Sequence, residues 1–180
     1  MKTLKSVSVK KLIIPLMLLL VLSASAFTMF ASWKVKEPYE VNFAGGKISG
    51  KFESLKANIV FDKDHPEDAK ISATIDVESL ATGFFIKTSH AKDALDADHF
   101  PTISFTANKV SKSGSAFDAA GNLTIKGVTK PVTIHFTFED KGNEGVFKGG
   151  FKVVPKTFNI TRNGSPDELT ISLVVPVSKS

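Results

Sequence analysis

The stretch that decides the fold is DVESLATGFFIKTSHAKDALDADHFPTISF, Asp76 to Phe105. Before and after it, short runs alternate apolar and polar residues with period two, the mark of half-buried antiparallel strands. Inside it that alternation stops. Thr82-Gly83 is a turn signal, and Phe84-Phe85-Ile86 is an apolar triplet. A short helix is expected to start near Thr88 or Ser89, with Ser89 as N-cap, and to be closed off by Pro101. Ala91, Ala94 and Leu95 share a face at i, i+3 and i+4. That face is small, so the helix needs something to lie against. The open end of a β-barrel is the simplest support. A regular strand would turn at least one residue of the triplet to water, so Phe84, Phe85 and Ile86 are expected to cluster over an apolar opening as part of a lid.

Working outward, Tyr39, Val41 and Phe43 alternate with Glu40 and Asn42, and Gly45-Gly46 turns the chain. Ile48, Gly50 and Phe52 continue the pattern. Its phase slips near Ser54, then Leu55, Ala57, Ile59 and Phe61 carry it on. A one-residue slip would reverse the faces, so a bulge or corner is expected there. Ile71, Ala73, Ile75 and Val77 form the cleanest run. Beyond the central stretch come Ile103 to Ala107, Leu123 to Ile125, Val132 to Phe138, Phe147 to Val153 and Leu169 to Val175. About eight runs with short turns and one helix make an all-β domain, and the pattern fits a barrel or a sandwich equally.

The N-terminus reads separately. Lys2, Lys5, Lys10 and Lys11 precede the apolar run Leu12 to Leu22, and Ala24-Ser25-Ala26 supplies small residues for cleavage. Residues 1–26 are expected to be a signal peptide, 27–38 a linker and 39–178 the barrel domain. The mature protein would be periplasmic or secreted. The rival reading is an uncleaved N-terminal membrane anchor, although the apolar core falls short of the ~20 residues a span needs.

The chain has 23 Lys+Arg against 18 Asp+Glu, and removing the four lysines of residues 1–26 leaves 19 against 18. The basic character therefore belongs to the export segment. With Arg162 the sole arginine, no nucleic-acid partner is expected. There is no Cys, so neither a disulfide nor a lipoprotein anchor is available. The chain carries no G-x-S-x-G elbow, no P-loop and no carboxylate pair in a desolvating setting, so it reads as no enzyme and needs no cofactor. His90 and His99 beside Asp93, Asp96 and Asp98 read as solvated surface, and no metal site is expected. Fifteen Phe against one Tyr and one Trp suit a dry interior. A packed core and a Phe-lined cavity satisfy that composition equally.

Two blocks carry a family resemblance. DxxSLxTG, a short helix, then Pro and a TISF strand, together with Gly121 to Val132, GNLTIKGVTKPV, resemble the YceI-like family of polyisoprenoid-binding proteins. The likeness spans roughly Tyr39 to Val177. Departures are Phe43-Ala44-Gly45-Gly46 where members often carry a His, and Lys87 at the usual Arg near the helix start. Arg162 falls where the family places a late Arg, and its fork suits a structural carboxylate or a lipid headgroup.

The resemblance implies an eight-stranded antiparallel lipocalin-like barrel with the helix as lid. It implies an exported protein that sequesters or carries an isoprenoid lipid of quinone or polyprenyl type. The expected lipid-binding side chains are Phe52, Phe61, Ile75, Phe84, Phe85, Leu95, Phe100, Phe105, Ile125, Phe136 and Phe151. Membrane contact would be transient, for lipid exchange, and a homodimer is compatible with the sequence. The alternative is a stress-related structural or interaction module whose barrel is fully packed and holds no ligand.

Overall fold

The computed structural model describes residues 31–180. The expected signal peptide and its cleavage point lie outside the described residues. The strands are β1 (Ser32–Val35), β2 (Glu40–Gly45), β3 (Ile48–Phe52), β4 (Lys56–Val60), β5 (Lys70–Asp76) and β6 (Leu80–Ala81), followed by helix α1 (Phe85–Leu95). The long strands follow: β7 (Thr102–Ser113), β8 (Ala116–Ile125), β9 (Val128–Asp140), β10 (Glu144–Val153) and β11 (Leu169–Lys179). Ser32–Val35 had read as linker and is instead a strand.

All described pairings are antiparallel. The order β1-β4-β5-β7-β8-β9-β10-β11 closes on itself because β1 also pairs with β11. Eight strands thus form a closed barrel with no free edge along the ring. The far end of β11, Thr170–Val174, pairs with β2 instead, and β2, β3 and β6 continue as a flap.

The phase slip at Ser54 is a corner. Phe52 pairs with β6 and Lys56 with β5, so consecutive strands serve different neighbours. The single tyrosine holds the corner: Tyr39 Oη donates to the Glu53 carbonyl at 2.9 Å and accepts from the Leu55 N–H at 3.0 Å.

Antiparallel connections alternate between the barrel ends, and this sorts the loops. The β4–β5, β7–β8 and β9–β10 connections lie at one end. The β2–β3 turn, α1, the β8–β9 turn and the 154–168 loop lie at the other. Aromatic rings close the first end. Phe61, with no exposed surface, meets Phe117, Phe136, Phe138 and Phe147 edge-on at centroid distances of 5.1, 5.6, 5.3 and 5.5 Å. Trp33 stands edge-on to Phe138 and donates its indole N–H to the Phe61 carbonyl at 2.9 Å. Such packing adds to simple area burial.

At the other end, Lys126-Gly127 joins β8 to β9 with φ of +50° and +71°, the two-residue hairpin geometry that favours glycine. This turn meets the central stretch. The Lys126 ammonium donates to the Ala94 carbonyl at 3.0 Å, a cation at the helix C-terminus. Gly127 lies flat against Phe100, where a Cβ would stand 2.6 Å from the ring. Gly127→Ala is expected to cost roughly 1–3 kcal/mol from backbone strain and that clash. Urea unfolding beside the wild type checks it.

Candidate functional site

Helix α1 differs from its expected form. It begins at Phe85, not at Thr88 or Ser89, and Phe84 occupies the N-cap position without a side-chain cap bond. Thr82 and Thr88 pin its start: the Thr82 N–H donates to Thr88 Oγ1 at 3.0 Å, and Thr82 Oγ1 donates to the Phe84 carbonyl at 3.1 Å. The helix ends at Asp96, which adopts the left-handed conformation, five residues before Pro101. Local hydroxyl bonds and a left-handed cap thus override the boundaries expected from Ser89 and Pro101.

Above the aromatic plug the barrel is hollow. A cavity of about 630 Å³ runs from Phe136 and Phe147 at the plug to the far end. Its size falls within the roughly 300–1,000 Å³ of small-molecule sites. Inward side chains of β2 to β5 and β7 to β11 form its wall, which is apolar throughout. Of the expected side chains, Phe52, Ile75, Leu95, Phe105, Ile125, Phe136 and Phe151 line it. The barrel is therefore not the fully packed one of the alternative reading.

Four expected residues lie elsewhere. Phe61 is spent on the plug, and Phe100 packs on Gly127. Phe84 and Phe85, with Ile86, do not fold over the opening: they are 66%, 88% and 67% exposed. Successive helical residues turn by about 100°. With Lys87, His90, Ala91, Ala94 and Leu95 facing the cavity, Phe85 and Ile86 are carried to the outer side. The helix covers the opening through those five residues instead.

Polar character is confined to the mouth. Lys47 from the β2–β3 turn, Lys87 and His90 from α1, and Arg162, Asn163 and Ser165 from the long loop contribute there. No carboxylate lines the cavity among the described residues. Sequence reasoning had Lys87 and Arg162 in view, read His90 as solvated surface and missed Lys47. The glycine turn before Lys47 was the available signal, since it puts that side chain at a strand end.

Arg162 ties two of these segments together, donating to Asp93 Oδ2 and to the His90 carbonyl, each at 3.3 Å. Asp93 on the helix is thus a carboxylate partner for its guanidinium, while the same side chain also borders the cavity mouth. Lys92 holds the same helix to Glu78 at 2.9 Å. The Arg162–Asp93 pair is exposed, so its contribution is small. Arg162→Lys is expected to cost less than about 1 kcal/mol in chemical unfolding. Arg162→Ala, which removes both bonds, should measurably raise hydrogen exchange of the α1 amides.

Among the described residues no group of three His, Cys, Asp or Glu side chains converges as metal ligands would. His99 bonds to Asp96 at 2.6 Å, and that hydrogen bond, with the carboxylate charge, raises its pKa above the ordinary histidine value. His135 lies on the outer barrel surface beside Asp118.

The comparisons with known proteins agree with this architecture. A family model described as the YceI-like domain matches residues 26–178. Protein YceI of Salmonella arizonae is 33% identical over 138 residues, 72% of each chain. Among solved structures, Burkholderia cenocepacia BcnA superposes with a TM-score of 0.72 at 24% identity, covering 77% of this chain and 95% of its own. A polyisoprenoid binding domain from Saccharophagus degradans gives 0.65 at 11% identity, covering 83% and 99%. These structural likenesses bear on the fold, a closed lipocalin-like barrel. With its model matched over nearly all of the described barrel and a curated relative at one-third identity, the chain belongs to the YceI-like family.

Proposed function

We propose that this protein binds a single-chain isoprenoid lipid inside the barrel and carries it between membranes without transforming it. The observation that carries the reading is the apolar cavity, plugged at one end and polar only at the mouth. At ~30 Å³ for each water-sized group, 630 Å³ accepts about twenty carbons, or roughly four isoprene units. Burying each CH₂ is worth about 0.8 kcal/mol. Twenty of them supply on the order of 16 kcal/mol, enough to offset an association cost of about 4–15 kcal/mol. The Saccharophagus degradans neighbour, described as polyisoprenoid-binding, supports the chain type.

The headgroup would sit among Lys47, Lys87, His90 and Arg162. Lys and Arg only donate hydrogen bonds, so an oxygen-rich head, a quinone carbonyl or a phosphate, suits the mouth. Export fits the basic and apolar N-terminal segment, and N-terminal sequencing of the mature protein tests it. Organic extraction and mass spectrometry of protein purified from its native host should release one isoprenoid per chain. Recovery of protein free of lipid, together with failure to bind an added polyprenol, would sink the reading.

A further inference from the structure

Phe84, Phe85 and Ile86 are the large apolar side chains that stand exposed among the described residues. They are consecutive at the start of α1, where hydroxyl bonds of Thr82 and Thr88 fasten the turn that presents them. The other side of the same helix lines the cavity mouth. We propose that this turn is a membrane-docking tip, which seats the open end of the barrel on an anionic bilayer. The carrier reading supplies its purpose, whereas its test needs no bound ligand.

Area and charge choose the bilayer over another protein. Even fully buried, three side chains of this size remove roughly 450–750 Å², since a Phe buries roughly 150–250 Å². A stable protein interface takes about 800 Å² from each partner. A lipid surface sets no such minimum, because each inserted side chain leaves water independently and multiplies the partition by roughly tenfold or more. Beside the patch, the Lys87 ammonium stands 5.0 Å from the centre of the Phe84 ring, and Lys47 lies on the same rim. Neither lysine is within ion-pair distance of a carboxylate among the described residues. A lysine near an anionic leaflet adds about fivefold to binding. On the mouth side, Phe84 with the cations Lys87 and Lys47 thus matches a negatively charged membrane surface, while Phe85 borders Glu78, Asp93, Asp96 and Asp98 on the outer side. The lipid would pass between bilayer and cavity without crossing open water.

Vesicle flotation of lipid-free protein tests this, using phosphatidylcholine vesicles with and without phosphatidylglycerol. Wild type should bind the anionic vesicles. Replacing Phe84 and Phe85 together by Ser should weaken binding at least tenfold, with an unchanged thermal melt. Lys87→Gln should weaken binding severalfold on anionic vesicles and leave neutral ones unaffected. Equal vesicle binding by wild type and double variant would overturn the proposal. So would a wild-type dimer in light scattering that the double change splits into monomers, since a second copy would then cover the patch. Polyprenol affinity of the same proteins separates the two readings. Docking without polyprenol binding defeats the carrier reading alone, and polyprenol binding without docking defeats this one alone.

Discussion

Replacing Ala57 and Ala73 together by Phe is expected to lower polyprenol affinity at least a hundredfold while leaving the barrel folded. The two alanines are cross-strand partners on β4 and β5, and both face the cavity. Ala73 in turn stands opposite Phe105 on β7, another wall residue. Two phenyl rings add twelve carbons, which at ~30 Å³ each occupy about half of the 630 Å³. A chain that loses even four buried methylenes forfeits about 3 kcal/mol. That is more than a hundredfold in the dissociation constant, at roughly 1.4 kcal/mol per tenfold. In a filled interior the same change would overpack and cost about 1–3 kcal/mol per site. Here the rings enter a void, so the melting temperature of lipid-free protein should move by only a few degrees. Titration with a fluorescent polyprenol beside a thermal melt checks both halves. A collapse of the melt would show that the space was not there.

At the opposite end, Phe61→Ala should be among the most destabilising single changes in the barrel, at about 3–5 kcal/mol. Phe61 is wholly buried, and four other rings stand on it. Removing it leaves a hole beneath Phe136 and Phe147, which themselves form the cavity floor. The loss is a large part of the 5–15 kcal/mol that holds an ordinary domain together. Phe61→Leu keeps most of the volume and should cost less than half as much. Urea unfolding of the three proteins checks the order. Equal midpoints for wild type and Phe61→Ala would mean that the plug does not hold this end closed.

The contrast between Phe61 and Phe105 shows where reading the sequence stopped. Both are inward residues of alternating strands, and both looked like cavity wall. Phe105 lines the space, whereas Phe61 is plug. Period-two patterning says which face a side chain takes but not its height along the barrel. Height follows from strand tilt and stagger, which are properties of the closed sheet. The phenylalanines were left undecided between core and cavity for the same reason, and the described strands of the barrel use theirs for both.

The helix was misread for a different reason. Its apolar residues fall on two sides, with Ala91, Ala94 and Leu95 toward the cavity and Phe85 and Ile86 toward solvent. Sequence reasoning pooled them into one inward cluster. Beside the local Thr82 and Thr88 bonds, ties from remote parts of the chain hold the helix in that rotation: Lys126 to the Ala94 carbonyl, and Arg162 to Asp93. No local propensity encodes either.

By itself, the sequence determined the all-β class, the order of the main strands, the break in phase at Ser54 and, through two motif blocks, the family. Each is a local matter of alternation, turn conformation or residue pattern. Only the tertiary structure decided that Ser32–Val35 joins the ring, that one barrel end is sealed and the other open, and that Phe84-Phe85-Ile86 faces water. Those outcomes depend on which strands close the sheet and which distant side chains meet, and an inward residue finds neighbour or void only once the ring is complete.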